Sequence, residues 1–183
     1  MYNFIAKILN WFSLTCWYIK RKDLYKKMGA VGHGVSLSPG WSIPSPKNVF
    51  IGNDVFIGEG VMLSANRSNI YIGNHVLFGP NVHIHGGDHR YDIVGRWMKS
   101  ITIEEKRPNV DDKDVYIDDD VWIGDGAIIL KGVTVARGSI IGARAIVTKN
   151  TQPYDIVVGN NRVVAKRFSA EEIILHEEKL KNN

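Results

Sequence analysis

The chain has 183 residues, 44% of them hydrophobic, with 18 Gly, one Cys and a formal charge of +4. That length suits one domain with a small appendage and buries a sizeable core without disulfides. The single Cys16 excludes a disulfide framework and a Cys-based zinc site within the chain.

The charge is concentrated at the start. Residues 1–30 hold Lys7, Lys20, Arg21, Lys22, Lys26 and Lys27 against Asp23, a balance of +5, which leaves −1 for residues 31–183. The basic character therefore belongs to an N-terminal arm, and the main domain shows no nucleic-acid-binding signature. The arm, residues 1–28, is apolar and aromatic up to Ile19. Its longest uncharged run, Ile8–Ile19, is 12 residues, short of the roughly 20 needed to span a bilayer. Its charges mostly follow the apolar run and no small-residue cleavage site succeeds it, unlike a signal peptide. The expectation is a cytoplasmic protein. Phe4, Ile8, Phe12 and Ile19 fall on one helix face. Two readings stay open for that face: packing on protein, or peripheral contact of residues 1–22 with the inner membrane surface through Trp and Lys/Arg.

From residue 49 an aliphatic residue recurs every six positions, often followed by Gly. The runs are Ile51-Gly52, Ile57-Gly58, Leu63; then Ile72-Gly73, Phe78-Gly79, Ile84; then Ile117, Ile123-Gly124, Ile129, Val135, Ile141-Gly142, Val147. A second small or apolar residue follows four positions later, as at Val55, Val76 and Val121. Three looser hexads precede them at Val31, Leu37 and Ile43. A period of six fits neither a helix nor a meander. It fits an all-β solenoid of short parallel strands, three hexads per 18-residue coil, over residues 29–168. Positions i and i+4 face inward, and the Gly at i+1 is expected to permit the tight corner. Four regular coils and about one looser coil are predicted.

Two segments break the register. Residues 64–70 add three residues. Residues 85–114 form a long excursion without a hexad, a length that usually signals function. After Val147 the period ends, and Ser169-Ala-Glu-Glu172 opens a C-terminal helix over residues 169–183 with a capping box.

The hexads, the loop Gly86–Asp92, the block Val121–Val135 and the segment Ile141–Lys149 followed by Pro153 and Gly159-Asn160 together resemble the hexapeptide-repeat acetyltransferases. The galactoside, maltose and xenobiotic (chloramphenicol-type) branch and the colanic-acid-type exopolysaccharide O-acetyltransferases are the most similar. The resemblance implies a left-handed parallel β-helix, acetyl-CoA as donor and a homotrimer with active sites between subunits. It also implies sugar or glycan O-acetylation, with a xenobiotic acceptor as the alternative.

Removing a proton from an acceptor hydroxyl suits His. His85 and His89 stand where the solenoid gives way to the excursion. The resemblance selects His89 as general base, because it follows Pro80-Asn81 by the family's interval. A surface His without a task is the plain reading of the same residue. Asp88, Asp92, Glu104, Glu105, Asp111 and Asp112 are all available to orient it. The resemblance carries Ala143, Thr148, Lys149 and Arg162 to the coenzyme, with Lys166 a looser candidate for the same charge. It places Asp125 where the galactoside branch has an oxyanion-donating Ser. An ionised Asp side chain cannot donate, so only its backbone N–H serves there. His85, Asn66, Tyr91 and Trp97 are candidates for the acceptor site. His83-x-His85-x3-His89 also looks superficially metal-like, but γ-class carbonic anhydrases space their zinc ligands differently, and no metal is expected. A non-catalytic hexapeptide scaffold is the remaining alternative.

Overall fold

A computed structural model describes residues 2–181; Met1, Asn182 and Asn183, at the ends of the expected arm and C-terminal helix, lie outside them. Helix α1 spans Tyr2–Lys27. The strands of the described residues then group into five coils. The first holds β1 (Ala30–Val31) and β2 (Ser36–Leu37), and the second β3 (Val49–Ile51), β4 (Phe56–Ile57) and β5 (Met62–Ser64). The third holds β6 (Ile70–Ile72), β7 (Leu77–Phe78) and β8 (His83–His85). The fourth holds β9 (Val115–Ile117), β10 (Trp122–Ile123) and β11 (Ile128–Ile129), and the fifth β12 (Thr134–Val135), β13 (Ile140–Ile141) and β14 (Ile146–Val147). A hairpin of β15 (Asp155–Val158) and β16 (Arg162–Lys166) and helix α2 (Ala170–Leu180) finish the chain.

Three sheets run along the coil axis: β1-β3-β6-β9-β12, β2-β4-β7-β10-β13-β15-β16 and β5-β8-β11-β14. All pairs are parallel except β15–β16, as the hexads predict for a solenoid, and the body is the left-handed parallel β-helix that the resemblance implies. The ladder register records each interruption. Trp122 pairs with Ile140, the bare 18-residue step. Phe56 pairs with Leu77 across the three extra residues of the first insertion, and Leu77 with Trp122 across the long excursion. Ser36 pairs with Phe56, two residues over 18, because a 3-10 turn at Pro46–Asn48 lengthens the first coil.

Inward positions stack into ladders. On the middle sheet Leu37, Ile57, Phe78, Ile123, Ile141 and Val157 lie in register and are all buried. Each such side chain is worth about 1.5–3 kcal/mol when fully removed from water. The i+4 residues Val55, Val76, Val121 and Ala145 are buried beside them. The open ends are capped, as solenoids require. Leu24 of α1 and Met28 just after it join the core at the first coil. Ser169 and Glu172 form the predicted capping box of α2, which folds back on the body through Arg137–Glu177 (2.7 Å) and Tyr154–Glu177.

The glycines at i+1 differ from expectation. Among the hexad glycines, the left-handed φ belongs instead to position i+3, taken by Gly60, Gly126, Gly132 and Gly138 or by Asp54, His75, Asn81, Asp120 and Arg144. The i+1 glycines are needed because neighbouring coils touch there. A Cβ on Gly52 would stand 2.7 Å from the Gly73 carbonyl oxygen, and one on Gly124 would stand 2.7 Å from the Ala143 nitrogen.

Candidate active site

The two interruptions occupy the same side of the solenoid and close on each other. The excursion leaves after β8 and returns before β9. Its base is pinned by Lys113 N–H donating to Gly86 O and Asp88 N–H to Asp111 O, both 2.8 Å. Farther out, Asp111, which is buried, accepts from the Arg107 backbone N–H (2.7 Å) and from its guanidinium (2.7 Å). That contact holds the Asp111 carboxyl well below the usual carboxylate range. Arg96 clasps Glu105 at 3.2 Å across two short 3-10 turns, Met98–Ser100 and Ile103–Glu105. From the first insertion, Arg67 donates to the Ile103 carbonyl. The excursion is therefore an arm folded over its own solenoid and latched to it.

Between the insertions lies a cavity of about 460 Å³, within the range of small-molecule sites. Ser64 and Asn66 come from the first insertion, His85 from the end of β8, and Asp88 and His89 from the root of the arm. Thr102 and Lys106 close the far side. The half-buried His85 ring has its pKa pushed down, first by burial and then by His83, whose ring centroid is 6.0 Å away. The shift favours the neutral ring, which can both donate and accept.

His89 has no hydrogen-bond or ion-pair partner among the described residues. Most of the carboxylates proposed to orient it are committed elsewhere: Asp88 to Lys131 (2.9 Å), Asp92 to Arg90 (3.0 Å) and Asp112 to Lys106, while Glu104 is held by the Thr102 side chain and forms no ion pair among the described residues. Glu105 and Asp111 belong to the clasps above. Tyr91 and Trp97 lie outside the lining and are 71% and 85% exposed, so neither stacks on the cavity. No three His, Cys, Asp or Glu side chains converge as a metal cage among the described residues.

The coenzyme candidates occupy the other end of the solenoid. Asp125 and Ala143 sit at the corners after β10 and β13, on adjacent coils, with Arg144 N–H donating to Asp125 O (2.8 Å). Thr148 and Lys149 follow β14. Their backbone N–H groups donate to Asn161 Oδ1 at 2.7 and 3.2 Å, and Asn161 Nδ2 donates to Thr148 Oγ1 at 2.7 Å. Gly159-Asn-Asn161 is thus a hairpin turn whose last residue staples the Val147–Lys149 edge. Arg162 is exposed, with no side-chain partner among the described residues. Lys166, by contrast, is spent on Asp155 (2.8 Å) and the Pro153 carbonyl (2.9 Å). Sequence reasoning passed over Arg144, an exposed cation held at φ 56° beside Ala143. It also passed over Asn161. Only the positive-φ preference of a hairpin Asn could have flagged the second.

A family model described as bacterial transferase hexapeptide (six repeats) matches residues 114–149. A maltose O-acetyltransferase from Clostridium difficile 630 is 30% identical, with a TM-score of 0.64, over 83% of this chain and 77% of that one. A hexapeptide-repeat acetyltransferase from Vibrio cholerae O1 biovar eltor, solved with acetyl coenzyme A, is 26% identical, with a TM-score of 0.68, over 80% and 75%. An N-acyltransferase from Bacillus cereus, AntD, is 22% identical, with a TM-score of 0.68, over 89% and 96%, and shares the fold. No curated protein matches in sequence.

Proposed function

The chain belongs to the hexapeptide-repeat acetyltransferases and is an acyltransferase, and from that premise we propose that it moves an acetyl group from acetyl-CoA to a hydroxyl of a sugar or glycan intermediate. One observation carries the reading: His89 lines a polar, sugar-sized cavity beside His85, whose ring is shifted by burial toward the neutral form, and no acid among the described residues pairs with it.

In this reading the His89 imidazole takes the proton of the acceptor hydroxyl. The oxygen attacks the thioester carbonyl, and the tetrahedral oxyanion collapses with loss of the coenzyme thiolate. That thiolate takes the proton back from the imidazolium. Transfer is direct, without an acyl-enzyme. The Asp125 backbone N–H is the available oxyanion donor at its corner. Ala143, Thr148 and Lys149 line the coenzyme's path, and Arg162 and Arg144 are free cations for its phosphates. The commitment of Lys166 to Asp155 favours Arg162 over it. His85 and Asn66 face the acceptor.

A base without an orienting acid calls for one from elsewhere. The outer face of the middle sheet offers a docking stripe, Phe56, Leu77 and Trp122, in register and each nearly half exposed. Self-association on this stripe, as a homotrimer, is the source we propose for that acid. The test is thiol release from acetyl-CoA with purified protein and a panel of sugars, chloramphenicol and buffer alone. Sugar-dependent release supports the reading. Release with chloramphenicol only would replace the acceptor class, and no release with any acceptor would reject it.

A further inference from the structure

Helix α1 uses only one end and one side to hold the body. Leu24 and Met28 are buried on the first coil, Tyr25 donates to the Val35 carbonyl (3.3 Å), and Trp17 lines a groove against Gly40 and Trp41. Residues 4–19, about 24 Å of helix, carry Phe4, Ile5, Ile8, Leu9, Trp11, Phe12, Leu14 and Ile19 largely in solvent, with Phe4 67% and Trp11 68% exposed. At helical spacing Phe4, Ile8 and Ile19 fall on the side opposite Leu24, whereas Leu9 lies nearer the packed side and Phe12 borders the groove against Gly40 and Trp41. The stripe of Phe4, Ile8 and Ile19 side chains therefore points away from the protein that the helix caps, with Phe12 at the edge of that face.

The same stripe changes character along its length. Phe4, Ile8, Phe12 and Ile19 are continued at three- and four-residue steps by Lys22 and Lys26. Lys22 lies 4.7 Å from the Tyr18 ring and Arg21 lies 4.4 Å from the Trp17 ring, so cations and amphipathic aromatics meet at the junction with the body. Bringing several copies of this helix together would juxtapose a +5 charge from each, a repulsion that an anionic surface turns into attraction. No described helix is long and apolar enough to cross a membrane.

We propose that α1 is an in-plane anchor for an anionic lipid surface, its Phe4–Ile19 stripe among the acyl chains and its Lys22 and Lys26 at the headgroups. The inference rests on the helix alone and stands apart from the acetyl-transfer reading.

The test is co-sedimentation of the full chain with vesicles of phosphatidylcholine, with and without 30 mol% phosphatidylglycerol. The wild type is expected to bind the mixed vesicles and leave the neutral ones unbound. Phe4→Asp with Ile8→Asp, far from the solenoid and near the helix N-terminus where acids are tolerated, should abolish binding and leave the oligomeric state in light scattering unchanged. Lys22→Gln with Lys26→Gln, which leaves Leu24 and Met28 in the core and gives up only the Lys22 contact with the Tyr18 ring, should weaken binding about 25-fold, roughly fivefold per cation. Three results would each overturn the proposal: a wild type that does not bind the anionic vesicles, an Asp variant that binds as before, or an Asp variant that loses subunits instead of lipid.

Discussion

Replacing Gly52 with Ala separates two reasons for a glycine in a hexad. Its φ is ordinary, so Ala is conformationally free there. The new Cβ, however, would stand 2.7 Å from Gly73 O and 2.8 Å from Gly73 C on the next coil. Relief needs the two coils to part by about 0.5 Å locally, which stretches the Gly52 N–H to Ile72 O bond from its 2.8 Å. Overpacking of that kind costs about 1–3 kcal/mol. Gly126 supplies the contrast. Its φ is +65°, and a Cβ there meets only the Arg144 side chain at 3.5 Å. Ala at 126 pays left-handed strain of about 1–2 kcal/mol, reduced by about 0.5 kcal/mol through the less free unfolded chain. At about 2–4 °C per kcal/mol for a chain of this size, Gly52→Ala should lower Tm by about 4–8 °C and Gly126→Ala by about half as much. Both are read by circular dichroism at one protein concentration, because association shifts Tm. A Gly52→Ala variant that melts like the wild type would show that coil stacking does not place the i+1 glycine.

Three further outcomes follow from the sites. Asp111→Asn should unlatch the excursion, seen as faster proteolysis within residues 93–106; in the wild type the lowered Asp111 pKa gives stability that is present above the unfolded pKa near 3.8 and lost as pH falls. Unchanged proteolysis would show that the arm is held by other contacts. The His85 imidazole should titrate by NMR below 6.5, with stability slipping as pH drops from 6.5 toward the folded pKa, because burial penalises its cation; a midpoint above 6.5 would contradict its neutral role. Arg162→Ala should raise the KM for acetyl-CoA about tenfold, as loss of one phosphate contact does, whereas Lys166→Ala should leave it near wild type; the reverse order would move the phosphate contact from Arg162 to Lys166.

The solenoid was legible because its code is local and repeated. Each Ile or Val at i and i+4 reports the same inward face, and the count from Ile117 to Val147 sets the coil length without any long-range information. The glycines were located correctly and explained by the wrong half of their chemistry. A single hexad reveals a missing side chain but not whether φ or the neighbouring coil demands it. The cavity was legible only in pieces. Asn66, His85 and His89 stood out separately, while the pairing of Arg67 with Ile103 joins two insertions that carry no shared period. Tyr91 and Trp97 drew attention as sugar-stacking rings, yet the clasp of Arg96 on Glu105 and Arg107 on Asp111 sets the arm's course and leaves both rings outside. Asn161 and Arg144 were missed for the same reason: their significance lies in what the next coil brings beside them.

The central claim is that His89 is the base for acetyl transfer in the cavity between the insertions. The most direct measurement compares wild type, His89→Ala and His85→Ala for thiol release from saturating acetyl-CoA with the sugar that the wild type uses best. The account predicts a kcat about 10²–10⁴-fold lower for His89→Ala, unchanged acetyl-CoA binding, and a smaller loss centred on acceptor KM for His85→Ala. Wild-type-like turnover in His89→Ala would contradict it.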